Sequence, residues 1–377
     1  MAWMRMMGAD SVEYHEANVA HRADDHAGAA LDYYGSRGET PLVWGGSGAN
    51  LLGVEGAATA DAYRAVFGPG GACLPRTGAR LVSSRRPGIE LVVSPHKSVA
   101  ELGVLGWADA MHAIVDAERD ATMRYLDRKV KEMGGRRGEQ ATPTPTAGLT
   151  WVTSRHATTR AGDPQVHDHV LVANVVWMRD QRAGWKGVDT AFVRDQLHAA
   201  TALGRMAAAR KAVELGFGIE PDAGRSGRLG GWRIAGIPDG ALAVHAKRSA
   251  QIDDLVGVDS SPRARGIAAH THRDPKRHRP VEEMIGRWRA ELSDAGHLPS
   301  RVVADVQAAA RKRPPVLDSF DGETTARLVA ETLGAGSRLA QIKVFDRSDV
   351  FSELDWPGLA MGFRPVCGGG DWQACRC

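Results

Sequence analysis

The chain has 377 residues, more than one ordinary domain needs and typical of two. Hydrophobic residues make up 43% and charged residues 25%, a globular composition that excludes wholesale disorder. The formal net charge is only +3 and there are four cysteines, so charge alone identifies no partner and no disulfide framework is expected.

The first predicted elements follow from short apolar runs, helical periodicity and turn residues. Residues 88–95 are rich in β-branched residues and end at a proline, which predicts a strand. Glu90 lies inside this apolar strand, and a buried carboxylate is costly unless it has a partner. Residues 107–133 follow a helical period without glycine or proline, which predicts a long helix. The proline-rich residues 141–146 are interpreted as an extended linker.

Further along, strands are predicted at 149–155 and 170–178, and a long alanine-rich helix at 190–216. Strands and helices mix first and helices dominate later, which predicts an α+β fold with a mostly helical C-terminal extension. We expect a catalytic core at residues 1–240, a basic helical extension at 241–350 and an unstructured or truncated tail at 351–377.

No apolar run is long enough to cross a membrane, and no secretory signal is expected at the N-terminus. Three of the four cysteines fall in the last 11 residues, without the spacing of a zinc site. Together with the low cysteine content, this favours a cytoplasmic protein.

Three histidines surround a predicted turn at Asp163-Pro164. Side chains alternate along a strand, so His167 and His169 project from the same face. A hairpin at the turn brings His156 beside them, and three imidazoles then form a metal site with open positions. Because neutral imidazoles leave the charge of a divalent cation uncompensated, such a site favours anions such as phosphate oxygens. The competing interpretation, polar residues on a surface strand, is weakened by the third histidine.

Aromatic residues are only 6% of the chain, yet three tyrosines, Tyr14, Tyr33 and Tyr34, fall within the first 34 residues. A tyrosine that attacks a phosphodiester stores the bond energy in a phosphotyrosine, so the cut strand can be rejoined without ATP. For any one of these tyrosines, packing in a core is an equally good explanation.

The histidine spacing resembles that of the conjugative relaxases of the TrwC/TraI (MobF) type, which are HUH endonucleases, and the resemblance spans roughly residues 8–345. The matching pattern is His156-x-x-x-Arg160-x-x-Asp163-Pro164-x-x-His167-x-His169, followed by Asn174. Supporting matches are Asp32-Tyr33-Tyr34 leading to Trp44-x-Gly46-Ser47-Gly48, and Gly88-Ile89-Glu90-Leu91 leading to Ser94-Pro95-x-Lys97. The resemblance implies a five-stranded antiparallel sheet with the histidine triad on its central strands and helices packed behind it.

The resemblance also implies the roles of individual residues. The three histidines would bind one divalent cation, for which Mg or Mn is expected and Zn or Ni also fits the ligands. Glu90, at a position usually occupied by Asp, would hydrogen-bond a ligand histidine and help to take the tyrosine proton. Tyr14 is favoured as the nucleophile, with Tyr33 as its rival, and the reaction would give a 5′-phosphotyrosine. Lys97 and Arg160 are candidate contacts to DNA phosphates.

The implied partner is single-stranded DNA at a transfer origin, with accessory relaxosome and coupling proteins. Basic residues near the linker, Arg124, Arg128, Lys129 and Lys131, and a run at 273–279 are further candidate DNA contacts, although a solvated helix face is the better explanation of each alone.

The sequence contains no Gly-x-x-x-x-Gly-Lys-Ser/Thr loop, so ATP-driven unwinding is not expected. Two alternatives stay open at this point. One is a metal-dependent hydrolase of the amidohydrolase type, which would need further Asp or His ligands on repeated βα units. The other is a catalytically silent DNA-binding remnant of a truncated relaxase-helicase.

Overall fold

The computed structural model describes residues 2–8, 11–15, 41–133, 135–137, 142–179, 184–222, 231–271 and 281–312. The strands are β1 (Ala2–Met6), β2 (Val43–Gly45), β3 (Gly88–Val93), β4 (Gly135–Arg137), β5 (Thr142–Thr144), β6 (Trp151–Thr158), β7 (Pro164–Ala173), β8 (Val176–Met178), β9 (Gly184–Lys186), β10 (Ile219–Asp222) and β11 (Gly231–Ile234).

The helices are α1 (Ala49–Leu52), α2 (Ala60–Phe67), α3 (Lys97–Val104), α4 (Ala108–Met133), α5 (Thr190–Glu214), α6 (Asp239–Val244), α7 (Lys247–Val256), α8 (Pro262–Thr271), α9 (Val281–Asp294) and α10 (Pro299–Ala310). Residues 11–15 are also helical. Among the described helices, none combines the length and the apolar character that a bilayer crossing requires.

Five strands form one sheet in the order β1-β3-β7-β6-β2. Every neighbouring pair is antiparallel, so β7 is the central strand and β3 and β6 flank it. The expected α+β fold with a five-stranded antiparallel sheet is therefore confirmed. The predicted linker at 141–146 differs from the structure, because it contains β5, which pairs with β4 in a separate two-stranded ribbon. A proline is tolerated there since such a ribbon is all edge.

The central strand begins earlier than predicted, at Pro164 rather than at residue 170. Polar residues alternate with Val166 and Val170 in its first half, so this half lacks the continuous apolar run on which the prediction depended. Its two histidines lie on the middle strand of the sheet, as their alternating pattern predicted.

One face of the sheet is fully covered by the two longest helices. Ile89, Leu91 and Val93 of β3 and Val170 and Val172 of β7 are buried against α4 and α5. Helix α5 begins where the Asp189 carboxylate accepts a hydrogen bond from the Phe192 amide at 3.1 Å, a typical N-cap. These helices make a rigid support behind the three central strands.

The described residues cover the opposite face, which we call the histidine face, along only half of its length. At one end, Leu171 of β7 and Val152 of β6 are buried together with Trp44, Tyr63 and Phe67. Toward the β6–β7 turn, the side chains that the same two strands place on this face are histidine and serine instead of apolar residues. The apolar cover therefore ends where the polar residues of the central strands begin.

The Trp44-x-Gly46-Ser47-Gly48 segment makes a tight turn between β2 and α1. Gly46 has φ of 100°, and a Cβ added there would lie 2.2 Å from the Leu149 carbonyl oxygen. Only glycine fits a left-handed backbone so close to a neighbouring chain. The Ser47 hydroxyl donates to the Asp127 carboxylate, which also accepts the Leu149 amide at 2.7 Å. The turn is thus attached to both α4 and the start of β6.

A buried ion pair lies on the helix-covered face, directly behind the histidines. Arg155 of β6 and Asp168 of β7 are cross-strand partners, and two nitrogens of the guanidinium donate to the two carboxylate oxygens at 2.6 and 2.7 Å. Arg119 of α4 adds a third bond to Asp168 at 3.2 Å. Because the Asp168 side chain is fully buried, it is stable as a carboxylate only with these partners.

We expect Asp168→Asn to lower the free energy of unfolding by about 3 kcal/mol, because it leaves a buried guanidinium without its main counter-ion. Chemical denaturation followed by circular dichroism measures this loss. Asp120→Asn is the matched control: its side chain is 46% exposed beside Arg119, so a change within about 1 kcal/mol is expected. Equal effects of the two substitutions would contradict the importance of the buried pair.

Candidate metal centre

The structure brings the three predicted histidines together on the histidine face. His156 of β6 is the register partner of His167 of β7, and His169 lies two residues further along β7. The ring centroids of His156, His167 and His169 are 4.3 to 5.4 Å apart. One ligand atom from each histidine lies within 4.8 Å of the others. The β6–β7 hairpin predicted from the sequence therefore brings the three histidines together, as predicted.

Two of the three rings are oriented by hydrogen bonds at Nδ1. His167 Nδ1 donates to the Gln165 carbonyl oxygen at 2.8 Å, and His169 Nδ1 donates to Glu90 Oε1 at 2.5 Å. A proton on Nδ1 places the ligating lone pair on Nε2, the arrangement found around protein-bound cations. The same bonds fix the rotation of each ring before any cation arrives.

The donor set fits a divalent cation. Two nitrogens that bind one ion at about 2.1 Å lie at most about 4.2 Å apart. The ligand atoms of the three histidines lie within 4.8 Å of one another, so small side-chain rotations bring them to this distance. His156 is 4% exposed and His167 and His169 are half-buried, which gives the cluster one open side. Three protein ligands with an open side are the usual arrangement where a cation also binds a substrate oxygen or water.

Glu90 is fully buried on β3, and the structure supplies the partner that its burial requires. Oε1 accepts from His169, whereas Oε2 accepts from Arg5 Nε at 2.5 Å and from the Ser11 hydroxyl at 3.5 Å. Burial alone would raise the pKa of Glu90, but the hydrogen bond and charge of His169, together with the charge of Arg5, lower it to about 2. Such a carboxylate is a weak proton acceptor, which favours an orienting role.

The sequence analysis found neither Arg5 nor His15, and both lie at this site. Arg5 is the register partner of Glu90 across β1 and β3. His15, which is 1% exposed, has its ring 5.7 Å from that of His169, and it forms with Glu90 and His169 a second close group of ligand atoms. The alternation of Arg5 with Met4 and Met6 was the one signal in the sequence that a cation on a strand could meet the buried acid.

Tyr14 is connected to the cluster through His15. The two rings meet edge to face with centroids 5.0 Å apart, and the Tyr14 side chain is 41% exposed. The short helical segment that carries them is held on the histidine face by buried Val12. Tyr14 therefore stands beside the cluster with access to solvent. Tyr33, the rival nucleophile, lies outside the described residues.

The remaining candidate residues are placed near the β6–β7 turn or behind the sheet. Lys97 Nζ donates to the Pro164 carbonyl oxygen at 3.1 Å, and Arg160 is exposed within the turn. Their roles as phosphate contacts stay predictions. Helix α4, with the basic residues 124–131, packs on the face opposite the histidines, which argues against a DNA contact for them. The basic run at 273–279 lies outside the described residues.

Similarity to known proteins identifies the family of the chain. Residues 8–295 match the family model described as TrwC relaxase. The chain belongs to the TrwC relaxase family. The relationship expected from the histidine spacing is thus confirmed.

Two curated relatives of the chain are forms of the multifunctional conjugation protein TraI of Escherichia coli. One is 30% identical over 347 residues and the other, from strain K12, is 29% identical over 345 residues. Each alignment covers 85% of this chain but 19% of TraI, so the chain spans about a fifth of the length of these relatives.

Solved structures of the conjugative relaxase TrwC in complex with OriT DNA, metal-free and metal-bound, share the fold. Each has a TM-score of 0.60 at 20% identity, covering 78% of this chain and 99% of the TrwC chain. In this chain, the three clustered histidines are a group of ligands that could hold a divalent metal ion.

We expect His156→Ala, His167→Ala and His169→Ala each to weaken Mn²⁺ binding by at least about 100-fold, because each removes one of three protein ligands. Isothermal titration calorimetry measures the affinity. His198→Ala changes an exposed histidine on α5 and serves as the control, with an unchanged affinity expected. Tight binding by all three variants would place the cation elsewhere.

We expect Glu90→Gln to weaken Mn²⁺ binding by about 10-fold, since a neutral amide no longer holds the His169 ring as a carboxylate does. Glu90→Asp keeps the charge, so it should retain more affinity than the amide variant. The same titration separates the two, and an amide variant with wild-type affinity would show that Glu90 does not orient the ligand.

Proposed function

We propose that the chain is a DNA nicking and joining enzyme that cuts single-stranded DNA at a transfer origin through a tyrosine. The observation that carries the proposal is the histidine cluster on the central strands, with the solvent-accessible Tyr14 two ring contacts away. TrwC in the solved complexes is bound to OriT DNA, which supports the same class of substrate for this family member.

In the proposed reaction the Tyr14 hydroxyl attacks the scissile phosphorus in line. As the new O–P bond forms, the hydroxyl loses its proton and the bond to the 3′ oxygen breaks. The 3′ oxygen leaves as a hydroxyl, and the 5′ phosphate stays attached to the tyrosine. An incoming 3′-hydroxyl reverses the same steps, so no external energy is consumed.

The cation, when bound, supplies positive charge to the non-bridging phosphate oxygens as negative charge develops on them. The side chains of the protein hold and orient the cation. His156, His167 and His169 hold the cation, and Glu90 with Arg5 fixes the His169 ring. Mg²⁺ or Mn²⁺ is proposed as the physiological ion, with Zn²⁺ and Ni²⁺ as alternatives that the imidazoles also accept.

We further propose that Lys97 and Arg160, beside the β6–β7 turn, help to hold the DNA backbone. Accessory relaxosome and coupling proteins are the expected protein partners. The cytoplasmic location favoured by the composition stays a prediction.

The two alternatives make different demands. An amidohydrolase builds its site on parallel strands, whereas the strands that carry these histidines are antiparallel. A silent DNA-binding remnant would not need the Nδ1 bonds that orient His167 and His169 for a cation. Covalent trapping separates all three: the nickase forms an adduct that survives SDS, the remnant binds without an adduct, and the hydrolase does neither.

The experiment incubates the purified chain with Mn²⁺ and random-sequence single-stranded DNA about 30 nucleotides long, then recovers adducts under denaturing conditions. We expect adducts with the wild-type chain, none in the presence of EDTA and none with Tyr14→Phe, because the attacking oxygen is missing. Sequencing the recovered DNA identifies the site, and mass spectrometry of the digested adduct identifies the tyrosine.

Tyr125→Phe is the matched control, since it removes a hydroxyl on the other side of the sheet, where Tyr125 donates to Gln196 at 3.1 Å. It should form adducts normally. Adducts that persist in Tyr14→Phe but vanish in Tyr33→Phe would transfer the role to Tyr33. The absence of adducts from the wild-type chain, with every metal tried, would overturn the proposed function.

A further inference from the structure

The turn that joins β6 to β7 is held by a helix far away in the sequence. The Gly162 carbonyl oxygen accepts two hydrogen bonds from α9, one from Arg287 Nη2 and one from the Trp288 indole nitrogen, both at 2.8 Å. Gly162 has φ of 79°, a conformation that other residues rarely adopt. The tip of the hairpin is therefore fixed in an unusual backbone shape by side chains about 125 positions later.

The next residues of the turn are held in the same way. Asp163 is fully buried, and its carboxylate accepts the Arg248 amide at 3.2 Å and faces the Lys247 ammonium at 3.6 Å. The Pro164 carbonyl accepts Lys97 Nζ at 3.1 Å. Donors from α3, α7 and α9 thus meet three consecutive residues, and each acceptor here would be costly to bury alone.

These contacts lead directly to the cation ligands. The Gln165 side chain donates to the Ser94 hydroxyl at 2.9 Å, and its carbonyl accepts His167 Nδ1 at 2.8 Å. Pairing passes from His156 with His167 to Thr158 with Pro164, so a bulge separates the histidines from the turn. A slip by one residue would send a side chain to the opposite face of the sheet. The position of the turn therefore decides which way His167 and His169 point.

We propose that Arg287 and Trp288 are positioning residues of the divalent cation site. Their bonds to the Gly162 carbonyl hold the β6–β7 turn so that His167 and His169 meet His156 in the metal-free chain. The helical C-terminal part of the protein thereby contributes to metal binding without supplying a ligand. This inference rests on the proposed cation site.

Trp288 also has a packing role, because its ring is 3% exposed within a large apolar cluster. The test must separate that role from positioning. Trp288→Phe keeps most of the apolar bulk and removes only the donor, and Arg287→Met removes the second donor at similar length. Leu292→Ala, one turn further along α9, is the control: Leu292 is 1% exposed in the same cluster, and its apolar side chain offers the turn no hydrogen bond.

The experiment compares the full chain with the double variant Arg287→Met/Trp288→Phe and with Leu292→Ala, using three measurements. These are Mn²⁺ affinity by calorimetry, amide hydrogen exchange of metal-free protein across residues 156–167, and unfolding by denaturant. We expect the double variant to bind Mn²⁺ about 10-fold more weakly and to exchange faster at Thr159 and Gly162, whose amides are hydrogen-bonded within the turn.

Leu292→Ala should lose stability while keeping the wild-type affinity and exchange in the turn. The double variant Arg287→Lys/Trp288→Phe, which retains a cationic donor, should recover part of the affinity lost in Arg287→Met/Trp288→Phe. Unchanged turn exchange in the double variant, or an affinity loss in Leu292→Ala that matches it, would overturn the proposal. If the wild-type chain binds no Mn²⁺, the cation site itself fails, and hydrogen exchange alone then decides whether α9 holds the turn.

Discussion

The pairing register between β6 and β7 is the constraint on which the site depends. It places His156 opposite His167 on one face and, one residue away, Arg155 opposite Asp168 on the other. Side chains alternate along both strands, so the ion pair and the histidine cluster require the same register. A shift in register would separate the buried charges of Arg155 and Asp168 on the helix-covered face, which is energetically costly. The ion pair therefore stabilises the register that brings the histidines together, although it lies on the opposite face of the sheet from them.

The histidine face changes from apolar to polar along a single strand. Leu171 is buried under aromatic residues, whereas His169 and His167, two and four residues earlier, belong to the histidine cluster. Among the described residues, the core packs on one end of β7 and leaves its other end uncovered. The tyrosine-bearing helical segment enters from the same side and is anchored by Val12 in that core. The proposed DNA site is thereby built on the central strand of the sheet, next to its apolar core.

Local patterns sufficed for the cluster but not for its surroundings. The His-x-His alternation and the Asp163-Pro164 turn are contained within 14 residues, so the sequence predicted both the hairpin and the triad. The need of Glu90 for a partner was also predictable, because burial of a carboxylate is costly anywhere. Arg5, Arg287 and Trp288 were not found, since their contacts come from strand order and helix packing that no local period encodes.

The charges around Glu90 affect how strongly a cation at the proposed site would attract a negatively charged substrate. Glu90 is ionised, and Arg5 lies against its second oxygen, so the pair is nearly neutral as a unit. The carboxylate can then orient His169 without cancelling the charge of the cation proposed for the three histidines. Had Glu90 stood there without Arg5, its negative charge would have weakened the attraction for a phosphate. In the proposed site, Arg5 on β1 therefore keeps the cation attractive to an anionic DNA backbone while Glu90 still aligns His169.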